Sequence, residues 1–256
     1  MKAYNKANPD RTGSQINEDI FVQAHCLKKG LDYVGACGPA HFDNHYKLSK
    51  MLNLPLPFKN LPPSYAKYIL ITPNDYSKAI YPDPNILIDQ NFIGTLRNNF
   101  LLAFNAPPHS NPRVAVHIRR GDVKADNQMR YIPNSYYVDV ITKIKHISQE
   151  AEIFIFSESH SSESFDVFRQ LGCKLFLDAD LEFTWKEMIF ADVLVMSKGS
   201  FSYVPAIYNS NFVIYYPAWY TKLAHWHHTN ASETWKNLEL FLLRRYDLHS
   251  RTEMRS

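Results

Sequence analysis

The densest chemistry in the chain lies in Val114-Ala115-Val116-His117-Ile118-Arg119-Arg120-Gly121-Asp122. An apolar run leads straight into a histidine, two arginines, a glycine and an aspartate. If the run is a strand, its period of two puts His117 and Arg119 on one face. Guanidinium forks match phosphate oxygens in pairs, so two of them at a strand's carboxyl end suit a pyrophosphate. Gly121 allows a tight turn, and Asp122 can orient an arginine or act on a substrate. The plainer alternative is a surface arginine pair bonded to Asp122 in a turn. Arg120-Gly121-Asp122 also spells a cell-adhesion tripeptide, but three-residue matches are too common to argue from.

An arginine corner of this kind binds a ligand when it sits at the carboxyl edge of a parallel sheet, where strand ends and helix starts leave a crevice. Apolar runs alternate with amphipathic stretches along the chain, which reads as α/β. In the first half a helix is expected from Gly13-Ser14 to Gly30, with Ile16, Ile20, Phe21, Ala24 and Leu27 on one face. Leu31–Ala36, Tyr68–Ile71 and Ile86–Ile88 read as strands, and residues 41–53 and 89–104 as helices. Prolines keep residues 54–65 irregular. Residues 105–112 have linker composition and set a domain boundary, giving domains of 1–107 and 108–256. In the second half Val114–Ile118, Ile153–Phe156, Lys174–Leu177, Val193–Met196 and Phe212–Tyr215 read as strands. Helices are expected over 133–147, 161–171 and 201–208. Thr184-Trp185-Lys186-Glu187 reads as a capping box that opens another helix. An amphipathic helix over 233–246 closes the chain and could cross back to the first domain. The second half is thus a nucleotide-binding type of parallel sheet.

Composition narrows the partners. With 256 residues, the chain holds one large or two small domains. The formal charge is only +3, too little to demand a nucleic acid. Cys26, Cys37 and Cys173 form no CxxC and no disulfide framework, which fits a reducing compartment. The polar N-terminus has no apolar signal core, and no stretch approaches the roughly 18 apolar residues of a membrane span. A soluble, cytoplasmic protein is the expectation, although a chain trimmed of a lumenal anchor would read the same.

His117-x-Arg119-Arg120-Gly121-Asp122 after an apolar strand resembles the signature of GDP-fucose-dependent fucosyltransferases, the superfamily of α1,2-, α1,6- and protein O-fucosyltransferases. Arg11-Thr12-Gly13-Ser14-Gln15 is similar to the family's Arg-x-Gly-x-Gln turn. Residues 191–203, from Ala191-Asp192 through Ser200 and Ser202, are similar to its late strand and Ser-rich loop. Pro133-x-x-Tyr136-Tyr137 fits the helix after the arginine motif. The likeness spans roughly residues 10–215.

The resemblance implies a GT-B-like fold of two facing Rossmann-like domains and an inverting, metal-independent transfer of fucose from GDP-fucose to a glycan hydroxyl. No cofactor is implied beyond the donor substrate; the partners are a nucleotide sugar and a glycan or glycoprotein acceptor. Arg119 would grip the β-phosphate and stabilise the leaving group, with Arg120 beside it. His117 would lie against base or ribose. Ser200 and Ser202 would donate to phosphates, as a helix N-terminus also does, unless they simply cap that helix. Gly13 would let the backbone approach sugar or phosphate, or form an ordinary turn. Asp122, Asp126 and, less directly, Glu18 are the candidate bases. The position of the family's guanine-binding acid is near Thr184 here, a departure for which Glu182 or Asp180 could substitute. Another GDP-sugar such as GDP-rhamnose, or a catalytically silent GDP- or glycan-binding module, fits the same motifs.

Two other segments invite metal. Asp178-Ala179-Asp180 is formally a DxD but follows a strand in the wrong half of the chain. His225-Trp226-His227-His228 has no cysteine or carboxylate at ligand spacing and reads as loop. Tyr215, Tyr216, Trp219 and Tyr220 could stack on a sugar, but such aromatics more often pack.

Overall fold

The computed structural model describes residues 1–65, 67–80, 83–127, 129–161, 163–217 and 222–253. Trp219 and Tyr220 lie outside them. The chain divides into two compact units. One takes Met1–Asn105, Tyr203–Tyr208 and Ala218–Ala224; the other takes Ala106–Ser202, Asn209–Pro217 and His225–Ser256.

The first unit runs β1 (Lys2–Lys6), α1 (Thr12–Lys28), β2 (Asp32–Cys37), α2 (Phe42–Met51), β3 (Ile69–Ile71), α3 (Pro73–Ile80) and α4 (Gln90–Leu101). Its parallel sheet has the order β2-β1-β3. The central strand, Lys-Ala-Tyr-Asn-Lys, carries too little apolar alternation to read as a strand, yet Ala3, Tyr4 and Asn5 are buried. The expected helix after it is present, and Gly30, with φ near +64°, turns the chain so that the Leu31 amide reaches back to the Cys26 carbonyl. Ile86–Ile88 is not a strand. Pro84–Ile86 forms a 3₁₀ turn capped by the Asp83 carboxylate, so Asp-Pro-Asn turn chemistry outweighs a three-residue apolar run. Leu87 and Ile88 are buried all the same. Asp89 caps α4 through the Phe92 amide.

The second unit runs β4 (Arg113–His117), α5 (Asn134–Ile147), β5 (Glu152–Ser157), α6 (Asp166–Gln170), β6 (Lys174–Leu177), α7 (Leu181–Phe190), β7 (Val193–Val195), α8 (Ser200–Tyr208), β8 (Phe212–Tyr215), β9 (His227–His228) and α9 (Ser232–Glu253), with the later turns of α8 assigned to the first unit. All of its strand pairs are parallel, in the order β6-β5-β4-β7-β8-β9. Numbered from one, that is 3-2-1-4-5-6, the doubly wound order, with its reversal between β4 and β7. The strands are Val-, Ile- and Phe-rich because both faces are covered. Val114, Val116, Ile153, Ile155, Val193, Val195 and Ile214 share one core with Val140, Ile141 and Ile144 of α5 and with Leu238 and Leu242 of α9. The closing helix thus packs onto its own unit.

Several expectations in this half need correction. Helix α6 is shorter than 161–171, because the Ser164 hydroxyl takes the Asp166 amide and donates to its carboxylate, holding a local turn. The capping box at Thr184 does not exist: Asp180 accepts from the Glu182 and Phe183 amides, so α7 starts a turn earlier, and Glu187 pairs with Arg113 instead. The segment His225–His228 supplies β9 as an edge strand, with the His227 ring stacked on Phe212 at 3.9 Å and Trp226 buried. Among the described residues, no helix is long and apolar enough to cross a membrane.

Candidate functional site

Two loops meet where the order of the second sheet reverses. One follows β4 and carries Ile118 to Gly121; the other follows β7 and carries Met196 to Gly199 into α8. They are riveted by Ser197, which is buried. Its hydroxyl takes the Arg119 amide at 3.3 Å and the Tyr137 hydroxyl at 2.9 Å. Its own amide and carbonyl bond the Ser202 hydroxyl. Burial pushes the Tyr137 phenol well above its usual range, so it remains a hydrogen-bond donor.

Arg119 is the cation these loops present. Asp122 holds it by a two-point bridge, Nε to Oδ1 at 3.3 Å and Nη2 to Oδ2 at 2.7 Å. Nη1 donates to the Lys198 carbonyl at 3.1 Å. Among the described residues, these bonds use three of the guanidinium's five N–H groups and leave one on each terminal nitrogen. A neighbouring pair of N–H donors is the arrangement that grips a phosphate at two oxygens. The guanidinium lies against bare backbone: a Cβ on Gly199, whose φ is near +148°, would stand 2.6 Å from Nη1. Ser200 follows as the first residue of α8, half-buried, where free amides and the helix dipole favour an anion.

Arg120 has a different fate. Only 1% of it is exposed. Its guanidinium bonds the Arg119 carbonyl and Asn134 Oδ1, pairs with Glu163 at 3.2 Å and lies over the Tyr131 ring. It braces the long loop against α5, with its guanidinium engaged by these protein partners. The Ser202 hydroxyl is buried too and bonds the amide and carbonyl of Ser197.

The other expected residues separate in the same way. His117 ends β4, buried, with its ring 5.0 Å from Phe201, which in turn packs on Trp185 at 5.7 Å. Asp122 orients Arg119. Asp126 is exposed in a turn and makes no hydrogen bond or ion pair among the described residues. Thr184 is buried inside α7. Asp180 is spent on the cap, and Asp178 accepts from the Ser159 amide. Glu182 stands within 4.0 Å of Lys186. No group of three His, Cys, Asp or Glu side chains among the described residues is placed to hold a metal.

In the first unit, Gly13 is the second residue of α1 and buried. Glu18 is buried too. It accepts from the Tyr76 hydroxyl at 2.6 Å and from both nitrogens of Asn8, so it shapes the turn before α1. Burial raises its carboxyl above the ordinary value of 4.5, against the donors that lower it.

Sequence reasoning gave no role to Ser197, Gly199, Tyr137, Phe201 or Glu158, although all but Glu158 lie in segments that resemble the family. A signal existed for the first two. Ser-Lys-Gly immediately after an apolar strand, with a helix beyond, is what a phosphate-facing turn looks like.

No family model matches the chain, and no curated protein matches it. Solved structures do. Escherichia coli ADP-heptose LPS heptosyltransferase II superposes with a TM-score of 0.50 at 10% identity, over 96% of this chain and 99% of that one. The fold is glycosyltransferase-like. E. coli heptosyltransferase WaaC with ADP-2-deoxy-2-fluoro heptose gives 0.47 at 10% identity, over 98% and 100%. POFUT1 in complex with GDP-fucose gives 0.32 at 14%, over 82% and 70%. At such identities the likeness concerns the fold alone. Within that glycosyltransferase-like fold, the Arg119 corner occupies the sheet reversal, the position where doubly wound sheets bind their ligands.

Proposed function

We propose that the protein is a nucleotide-sugar-dependent glycosyltransferase, inverting and metal-independent, that moves fucose from GDP-fucose to a glycan hydroxyl. The observation that carries this reading is Arg119, fixed by Asp122 and the Lys198 carbonyl with two N–H groups to spare, beside the first turn of α8. As the bond from the anomeric carbon to the diphosphate breaks, negative charge gathers on the departing phosphate. The acceptor oxygen forms the new bond from the opposite face. Arg119, the Ser200 hydroxyl and the α8 amides stabilise that charge, so they act on the transition state more than on binding. His117, backed by Phe201, offers its ring to the base or ribose. Asp122 orients Arg119, and Asp126 is the exposed carboxylate left to take the acceptor's proton.

A second reading keeps the fold and changes the donor. Thr184 is buried within α7, so no acid stands where the fucosyltransferase likeness expects one for guanine. GDP-rhamnose, or an ADP-sugar such as the ADP-heptose for which heptosyltransferase II is named, then becomes the alternative.

One screen tests both readings: release of nucleoside diphosphate from GDP-fucose, GDP-rhamnose and ADP-heptose, with wild type beside Arg119→Ala. Turnover of one donor that falls about 10²- to 10³-fold in the variant supports the mechanism. Absence of turnover with tight GDP binding would leave a silent binding module. A fully active variant overturns the role of Arg119.

A further inference from the structure

The carboxylate of Glu158 is not used by anything proposed so far, and its place in the sheet is specific. Glu158 immediately follows β5, which is the second strand in the 3-2-1-4-5-6 order. In doubly wound sheets that bind nucleotides, phosphates lie at the turn after the first strand, and an acid at the end of the second accepts from ribose hydroxyls. The turn after the first strand here is the one that bears Arg119 and Gly121.

Local geometry ties the two strand ends together. The Ser157 hydroxyl donates to the Ile118 carbonyl at 2.8 Å, and the Gly121 amide donates to the His160 carbonyl at 2.8 Å. The Ser159 amide is held by Asp178 at 2.9 Å. The Glu158 backbone is therefore fixed on both sides. Its carboxylate lies on the bare face of Gly121, whose φ is near +73°: a Cβ there would stand 2.8 Å from Oε1 and closer still to Oε2. A side chain at 121 would displace it. Gly121 thus does more than permit a turn; it makes room for an acid one strand away from the phosphate-facing arginine.

A carboxylate is a poor neighbour for a phosphate and a good one for a vicinal diol, whose two hydroxyls can donate to its two oxygens. We propose that Glu158 accepts hydrogen bonds from the ribose hydroxyls of the donor's nucleoside and makes the site selective for ribonucleotides over deoxyribonucleotides. This rests on the nucleotide-sugar reading above, and it adds the residue that recognises the sugar of the nucleotide itself.

The test is titration calorimetry of wild type, Glu158→Gln and Glu158→Ala against GDP and ADP and their 2′-deoxy and 3′-deoxy counterparts. Wild type is expected to bind the ribonucleotide about ten- to a hundredfold more tightly than at least one deoxy form, the weight of a hydrogen bond to a charged group. Glu158→Ala should weaken the ribonucleotide to about the level of that deoxy form, leave the deoxy form within about twofold of wild type, and so abolish the preference. Glu158→Gln should fall between. A wild type indifferent to both hydroxyls overturns the proposal without need of a variant. A Glu158→Ala protein that keeps the full preference, or loses both nucleotides equally, overturns it as well, since equal loss is the mark of a brace for the turn. If wild type binds neither GDP nor ADP, the nucleotide-sugar reading falls first and takes this one with it.

Discussion

Where the strands of the second sheet begin, the fully buried Asp192 precedes β7 and gathers four partners; where they end, Gly199 makes room for the guanidinium of Arg119. Asp192 takes the Arg113 amide at 2.8 Å, the His109 ring at 2.8 Å and the Tyr246 hydroxyl at 2.6 Å, and pairs with Arg245 at 2.6 Å. One carboxylate thus joins the segment entering β4, the start of β7 and the closing helix α9. The opposite end is tied as well, by Ser197 and by the buried Arg120, but its ties stop short of one cation. Gly121 and Gly199 hold positive φ there, and an arginine keeps part of its donor set unspent. Both ends of the sheet are stapled, and the second differs in leaving part of Arg119's donor set for chemistry. An aspartate quoted in a family-like motif belongs to the staple, not to the ligand.

Replacing each centre in turn should separate these roles. Asp192→Ala leaves Arg245 and His109 without their buried acceptor and is expected to cost about 3–5 kcal/mol of stability. Urea unfolding measures it, and the fraction still folded should bind nucleotide as wild type does. A stability change under about 1 kcal/mol would break the comparison at its stronger side. Arg119→Ala should do the reverse. Its turnover falls about 10²- to 10³-fold, while its unfolding midpoint stays near wild type, because the side chain closes no buried network. Arg120→Ala, one residue along, is the matched control: a loss of stability with the chemistry spared in whatever remains folded.

That pair also shows what was legible and why. Alternation read past His117 sets Arg119 apart from Arg120 in the sequence, although β4 ends at His117 and both arginines lie in the loop beyond it. Two like charges side by side suggested a shared task, and only Asn134 and Glu163, distant in sequence, show that one of them is structural. The parallel sheet of the second unit could be read because its strands are buried on both faces and therefore continuous in apolar residues. Strand β1 could not, since Lys-Ala-Tyr-Asn-Lys buries an asparagine between neighbouring strands. Thr184 misled because a capping box is a local pattern, and a better cap, Asp180, lies four residues upstream. Glu158 was invisible for a plainer reason. A carboxylate at a strand end acquires meaning only once the strand's rank in the sheet is known.

A subtler probe of the Arg119 edge is Gly199→Ala. The added methyl would meet Arg119 Nη1 at 2.6 Å and sit on a backbone with φ near +148°. Arg119 must then tilt, and a displaced positioning group costs about ten- to a hundredfold in kcat/KM. The effect should vanish in an Arg119→Ala background, where there is no guanidinium to displace. Additive losses in the double variant would mean that the glycine acts on something else.

The smallest effect concerns the edge stapled by Asp192 and needs no loss of function to see. Cys173 immediately precedes β6, among the residues that enter the sheet, and burial pushes its thiol up to about 11. At pH 8 about one thiol in a thousand is then thiolate, and that one is covered. Alkylation should therefore wait for the edge to open. If the staple makes this edge open only with the whole unit, the labelling rate of Cys173 will rise as stability falls across a denaturant series, at the slope of global unfolding. The half-buried Cys37, in the first unit, should label ahead of it and report nothing of this edge. Asp192→Ala should speed Cys173 labelling by its own loss of stability, and Arg119→Ala should leave it unchanged. Rapid, denaturant-independent labelling of Cys173 in wild type would show the edge opening by itself, and the contrast between the two ends of the sheet would then lie in their chemistry and not in their stability.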